Sequence, residues 1–138
     1  MSQAGINNNS SGPFPPSIIW QWLDRTASFP ASAGTGYFIT NAEADLNVTV
    51  TLPAAPSQGD TLALYCDYEP NVPVDPMDDD NRVLVQTSGT QKILFGVNES
   101  SAGGIALANQ EGCILFLVYR TLDTTWHVTS GEGNWSLQ

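Results

Sequence analysis

Hydrophobic and polar residues alternate one by one along much of this chain, and no long segment carries the repeat of an amphipathic helix. The clearest alternation lies at 46–67. Leu46, Val48, Val50 and Leu52 interleave with Asn47, Thr49 and Thr51, the period-2 pattern of a strand with one buried face. Leu62, Leu64 and Cys66 then interleave with Thr61, Ala63 and Tyr65. Pro53, Pro56, Gly59 and Asp60 punctuate the link and stay out of both ladders. The pattern predicts two strands paired as a hairpin, with a link too long for a two-residue turn, and this hairpin is the expected scaffold of the fold.

Further strands are expected at 18–23, 37–40, 82–86, 92–95, 113–119, 125–130 and 134–137, with a brief apolar piece at 105–108. At 18–23, Ile18, Trp20 and Trp22 share one side, and Ile19, Gln21 and Leu23 share the other. Two indoles on one side require a broad apolar partner. Because the flanking residues are also apolar, core or subunit contact is preferred over a sugar-stacking platform. The stretch 113–119, CILFLVY, is apolar on both alternating sides. A strand covered on one side only would not read this way. A chain of 138 residues has few spare layers, so a neighbouring subunit is the expected cover.

Composition sharpens the class. Twelve glycines, nine prolines and short apolar runs favour β structure in one domain's length of chain. The expected fold is all-β: a small antiparallel β-sandwich or jelly-roll-like domain over 18–138, preceded by an extended N-terminal arm over 1–17. The arm is rich in Asn, Ser, Gly and Pro and too poor in apolar residues to fold alone. It has neither the basic head nor the apolar core of a secretory signal, so assembly in a cytoplasm is expected. A net charge of −10, with only Arg25, Arg82, Lys92 and Arg120 as cations, opposes binding to nucleic acid or to an anionic membrane. The longest apolar run is too short for membrane insertion as a helix. Cys66 and Cys113 read as buried free thiols, since cytosolic assembly disfavours a disulfide.

Candidate chemistry is sparse. The segment 69–81, EPNVPVDPMDDDN, combines three prolines with five acids and must be a surface loop. Asp75, Asp78, Asp79, Asp80 and Asn81 offer the hard oxygens that calcium prefers, but not in the EF-hand order. A solvated, receptor-facing loop is the preferred reading, and no metal is assigned. His127 has no Cys or second His near it in sequence. Glycoside hydrolysis needs two facing carboxylates, and no spacing among Asp24, Asp67, Glu111 and Glu132 singles out a pair. The chain is therefore expected to be no enzyme and to need no cofactor.

The segments GYFITN, VTVTLPAAPSQGD, VLVQTSGTQKILFG, GGIALA, CILFLVY and TTWHVTSGEGNW, in that order, resemble a β-domain of phage and prophage tail-fibre and related virion adhesion proteins. The Leu-Pro that ends one strand and the Gly-Asp that opens the next correspond to Leu52, Pro53, Gly59 and Asp60. Gln86, then Gln91, Ile93, Phe95 and Gly96, match its glutamine strand, and Trp126, Val128, Ser130 and Gly131 match its closing strand. The resemblance runs from about Trp20 to Trp135. It implies a β-sandwich-like subunit, commonly of a homotrimer, with a structural or host-recognition role and no catalysis. The chain departs from the family in its long 69–81 loop and in standing behind a short arm.

The function expected from these readings is that of a structural virion component of tail-fibre, spike or tail-tip type. Ile6, Asn7, Asn8, Pro13 and Phe14 of the arm would dock on other virion proteins. Trp20, Trp22 and Phe116 would form the contact between copies in a homotrimer, and exposed loops would meet a host cell-surface glycan. The alternative is a free-standing carbohydrate-binding module without catalysis, resting on Trp20, Trp22, Trp126 and Trp135. Such a module should expose at least two of these indoles on one flat or concave face.

Overall fold

The computed structural model describes residues 18–40, 47–66, 82–108 and 112–138. Among them are twelve strands and no helix. The first six are β1 (Gln21–Arg25), β2 (Phe29–Pro30), β3 (Thr35–Ile39), β4 (Val48–Thr51), β5 (Thr61–Cys66) and β6 (Val83–Gln86). They are followed by β7 (Lys92–Phe95), β8 (Asn98–Glu99), β9 (Ile105–Ala108), β10 (Cys113–Arg120), β11 (Thr125–Glu132) and β12 (Trp135–Leu137). One sheet has the order β1-β3-β5-β10-β11-β7-β8 and the other β12-β9-β6-β4-β2. The two enclose a single core as a β-sandwich.

From β1 to β6 the chain changes sheet at every step, odd strands in the first and even strands in the second. Strands that neighbour one another within a sheet therefore run in the same direction: β1 with β3, β3 with β5, β2 with β4, and β4 with β6. A parallel pair needs a crossover, and here a strand of the opposite sheet supplies it. The β7–β11 pair is also parallel, whereas β5–β10, β10–β11, β6–β9, β9–β12 and β7–β8 are antiparallel. The expected all-β sandwich is present, with sheets that are mixed where antiparallel ones were expected.

The same winding corrects the central hairpin. β4 and β5 do not pair; they face each other from opposite sheets. Val48 and Val50 enter the core from one side and Leu62 and Leu64 from the other, so both alternations are satisfied without a shared ladder. The link between them carries the chain from one sheet to the other. Leu52 is buried, with its N–H donating to the Gln86 carbonyl, and Gly59, with φ +85°, donates to the carbonyl of Tyr119. Asp60 Oδ2 accepts from the Ser57 N–H at 2.8 Å and closes the turn. Two smaller corrections concern boundaries. The first strand is Gln21–Arg25 instead of 18–23, and Asn98–Glu99 forms a short strand between the pieces expected at 92–95 and 105–108.

Trp126 is the largest fully buried side chain. Its indole N–H donates to Gln91 Oε1 at 2.9 Å, and Gln91 Nε2 donates to the carbonyls of Pro53 and Ala54 at 3.0 and 3.2 Å. A polar atom that would be costly to bury is satisfied, and the crossing link is tied to the β11 strand. A register shift between Phe116 and Leu117 leaves Thr129 as the extra residue of β11, so that Trp126 and Val128 on one side of the bulge and Gly131 on the other all meet inward-facing partners on β10.

Candidate functional site

The outer face of the seven-stranded sheet collects four of the exposed large apolar side chains, while Val97 and Leu122, more exposed still, lie in the β7–β8 and β10–β11 turns. In β1, Leu23 packs against the core while Trp22 and Asp24 point away from it. The register then carries an outward row from Trp22 to Gly36 on β3, Ala63 on β5, Phe116 on β10 and Ser130 on β11. A second row runs from Asp24 through Phe38, Tyr65 and Ile114 to Glu132. Trp20, whose N–H donates to the Gly34 carbonyl, sits at the head of a third row that continues through Thr61 and Val118.

Small residues make the arrangement possible. A Cβ at Gly36 would lie 2.4 Å from the Trp22 ring, and one at Gly34 would lie 2.6 Å from Trp20 Nε1. Each indole therefore lies against bare backbone. The Trp22 and Phe38 centroids are 4.9 Å apart at a tilt of 31°, and Phe38 meets Tyr65 edge-on at 5.9 Å. Trp20, Trp22, Phe38 and Phe116 are 44, 42, 41 and 36% exposed, so none belongs to the core of this chain. Ile114, Val118 and Tyr65 are half-buried between them. From β1 to β10 is three strand spacings, roughly 14 Å, so the patch is broad and flat. It offers stacking and hydrophobic contact.

The sequence pointed to Trp20, Trp22 and Phe116, and the structure brings all three onto this face. Phe38 and Tyr65 complete it and were not singled out, although the Gly34-x-Gly36-x-Phe38 spacing matches Trp20-x-Trp22 across the ladder. Trp126 is core, and Trp135 is half-buried at the far edge of the sandwich. Four indoles thus divide between three environments, and only Trp20 and Trp22 share an exposed face.

The remaining candidates do not converge. Asp24 and Glu132 lie in one row but four strand spacings apart, roughly 19 Å, beyond the separation that paired carboxylate catalysis uses. His127 Nε2 is 2.9 Å from Asp123 Oδ2, and Arg120 reaches the same carboxylate oxygen at 3.6 Å in a surface ion pair. Cys66 and Cys113 are buried free thiols directly opposite one another on β5 and β10. Burial, and then the neighbouring Cys113, push the Cys66 thiol well above its ordinary pKa, which makes it inert. Among the described residues no group of three His, Cys, Asp or Glu side chains could hold a metal ion. Nor do they include a helix long and apolar enough to cross a membrane. Ile6, Asn7, Asn8, Pro13 and Phe14 of the arm, Asp67 and Glu111, and Asp75, Asp78, Asp79, Asp80 and Asn81 of the acidic segment all lie outside the described residues. No family model matches the chain, and no curated protein matches it.

Proposed function

We propose that this chain is a non-catalytic structural subunit of a phage virion, of tail-fibre, spike or tail-tip type. It assembles as a homotrimer through the outer face of its seven-stranded sheet and docks on other virion proteins through the arm at 1–17. The observation that carries the reading is the flat apolar face of Trp20, Trp22, Phe38 and Phe116, placed on the side of the sheet that faces away from the core. Exposed aromatic residues grouped in this way mark an interaction surface, and further copies of the chain around a threefold axis are the cover assigned to it. The tail-fibre resemblance supports the same reading. Its separate motif residues Pro53, Gln91 and Trp126 meet in one hydrogen-bonded cluster, as residues that build a scaffold should. The acidic balance suits a subunit present in many copies that avoids the packaged genome. Assembly would take place in the host cytoplasm, with the virion as the final location.

Light scattering on the purified chain at micromolar concentration tests the assembly, where a mass of three chains is expected and a monomeric mass overturns it. Removal of 1–16 tests the docking. The truncated chain should fold and assemble with itself yet be missing from purified particles.

A second reading, a free-standing carbohydrate-binding module, is favoured by one specific observation. Trp22 lies over Gly36 and is still 42% exposed, so part of its ring is accessible for stacking on a sugar. A monomeric mass together with retention on insoluble polysaccharide that Trp22→Ala abolishes would establish this reading in place of the first.

A further inference from the structure

At the edge of the sandwich opposite β1, the two sheets leave a cleft of about 400 Å³ between their terminal strands, β8 in one sheet and β12 in the other. We propose that this cleft is a subsite for a neutral saccharide, holding one or two pyranose rings. The proposal does not depend on the subunit contact assigned to the outer face, because Trp20 and Trp22 lie at the other end of the sheet.

The lining has the mixture that such a ligand needs. Phe95, Asn98 and Glu99 come from the β7–β8 hairpin, and Asn134, Trp135 and Leu137 from the turn into β12 and the strand itself. The volume is in the range of small-ligand sites, which combine apolar walls with a few directional polar groups. A pyranose has an apolar C–H face that suits the indole of Trp135 or the ring of Phe95, and a rim of hydroxyls that both donate and accept. A side-chain amide also does both, and those of Asn98 and Asn134 make no hydrogen bond within the described residues.

The rings are held before any ligand arrives. The Trp135 indole N–H donates to the Glu132 carbonyl at 3.0 Å, which fixes the ring orientation. Phe95 lies so close over Gly131 that a Cβ there would fall 2.8 Å from its Cζ. Lys92 Nζ binds Glu99 Oε1 at 3.1 Å and orients that carboxylate, leaving its second oxygen to accept from a hydroxyl. Binding would therefore cost little side-chain ordering.

Charge selects among sugars. Lys92 is engaged by Glu99 of the lining, and the chain as a whole carries −10. Sulfated, phosphorylated or sialylated ligands would be repelled, so the neutral class is the one that fits.

The test is a titration of the ¹⁵N-labelled full-length chain with glucose, galactose, mannose, N-acetylglucosamine, cellobiose and chitobiose, read by NMR. The indole N–H of Trp135 and the side-chain amides of Asn98 and Asn134 should shift with at least one of these, saturating with a Kd of about 1 mM. Asn98→Ala and Asn134→Ala should each weaken that binding by roughly tenfold without moving the melting temperature, since both side chains are exposed. No response at these signals to any of the six sugars overturns the proposal. So does a response confined to the Trp20 and Trp22 indoles, which would place the sugar on the outer face. If extended peptides instead protect the Leu137 backbone amide, which the β9–β12 register turns to the open edge, while sugars do nothing, the cleft is a strand-docking edge and the proposal fails. Light scattering on the same sample reports assembly separately, so a monomeric mass leaves the outcome at the cleft readable.

Discussion

The ring of Trp22 lies across Gly36 so closely that the glycine has no room for a side chain: a Cβ would be 2.4 to 2.6 Å from three ring atoms. Gly36 has no need of a left-handed backbone, so this approach is the reason for a glycine there. Gly36→Ala should push the indole off the sheet at a cost of about 1–3 kcal/mol, the usual range for overpacking. The fold should survive, because Trp22 is already partly exposed and can swing outward. Tryptophan fluorescence should shift to the red as the ring moves into water. An unchanged spectrum and melting temperature would show that the ring does not rest on the glycine in solution.

Gln91 should couple to Trp126. Gln91→Leu strands the buried indole N–H and frees the carbonyls of Pro53 and Ala54, with an expected loss of about 1–3 kcal/mol from the indole alone. Trp126→Phe removes the donor but opens space in the core, and its own cost should be of similar size or larger. Combined, the two changes should cost less than their sum, because neither leaves the other's partner unsatisfied. Denaturant midpoints of the two single variants and the double variant close the cycle. Strict additivity would mean that the bond contributes nothing.

How much of this was legible in the sequence depends on what the alternation encodes. The period-2 pattern names the buried residues, and Val48, Val50, Leu52, Leu62, Leu64 and Cys66 are all buried. It does not name the partner strand, because two strands facing each other across a core alternate as two paired strands do. The parallel winding of β1 to β6 was hidden for that reason. The fate of each tryptophan was equally hidden, since an indole at an alternating position reads the same on either face of a sheet. What separates Trp22 from Trp126 is the residue each one meets, Gly36 or Gln91, and those meetings are set by register. The cleft left no signal at all. Phe95 and Trp135 line one cleft because the β7–β8 hairpin and β12 end their two sheets on the same side.

The Cys66 thiol gives a pH dependence. Burial, followed by the proximity of Cys113, raises its pKa in the native state above the ordinary value of about 8.5. The native chain thus holds that proton more tightly than the unfolded chain does. The resulting stability is fully present below about pH 8.5 and is lost as pH rises above it, by up to about 1.4 kcal/mol per pH unit. Unfolding free energies measured from about pH 8 to about pH 10 should fall in the native chain and fall less in Cys66→Ala. In the native state iodoacetamide should leave Cys66 unmodified, and alkylation at the rate of an exposed thiol would contradict the burial.

Phe116 and Leu117 are adjacent on β10 and point to opposite sides of the sheet, one 36% exposed and the other fully buried. The same charge placed at each position therefore separates folding from assembly. Leu117→Asp puts a carboxylate among Leu62, Tyr119 and the rest of the core with no partner, a cost of several kcal/mol that the subunit cannot absorb. It should abolish the cooperative transition. Phe116→Asp exchanges a partly exposed ring for a carboxylate that water can reach in the single subunit, so the isolated chain should stay folded, with its circular dichroism unchanged. In the proposed trimer the same position is covered by other copies, and a buried, unpaired charge in each of them opposes association. Light scattering should then report a folded monomer. If Phe116→Asp keeps the mass of the native assembly, the outer face is not the contact between copies. If it unfolds the chain, Phe116 serves the subunit itself, and the exposed indoles beside it lose their claim to be an interface.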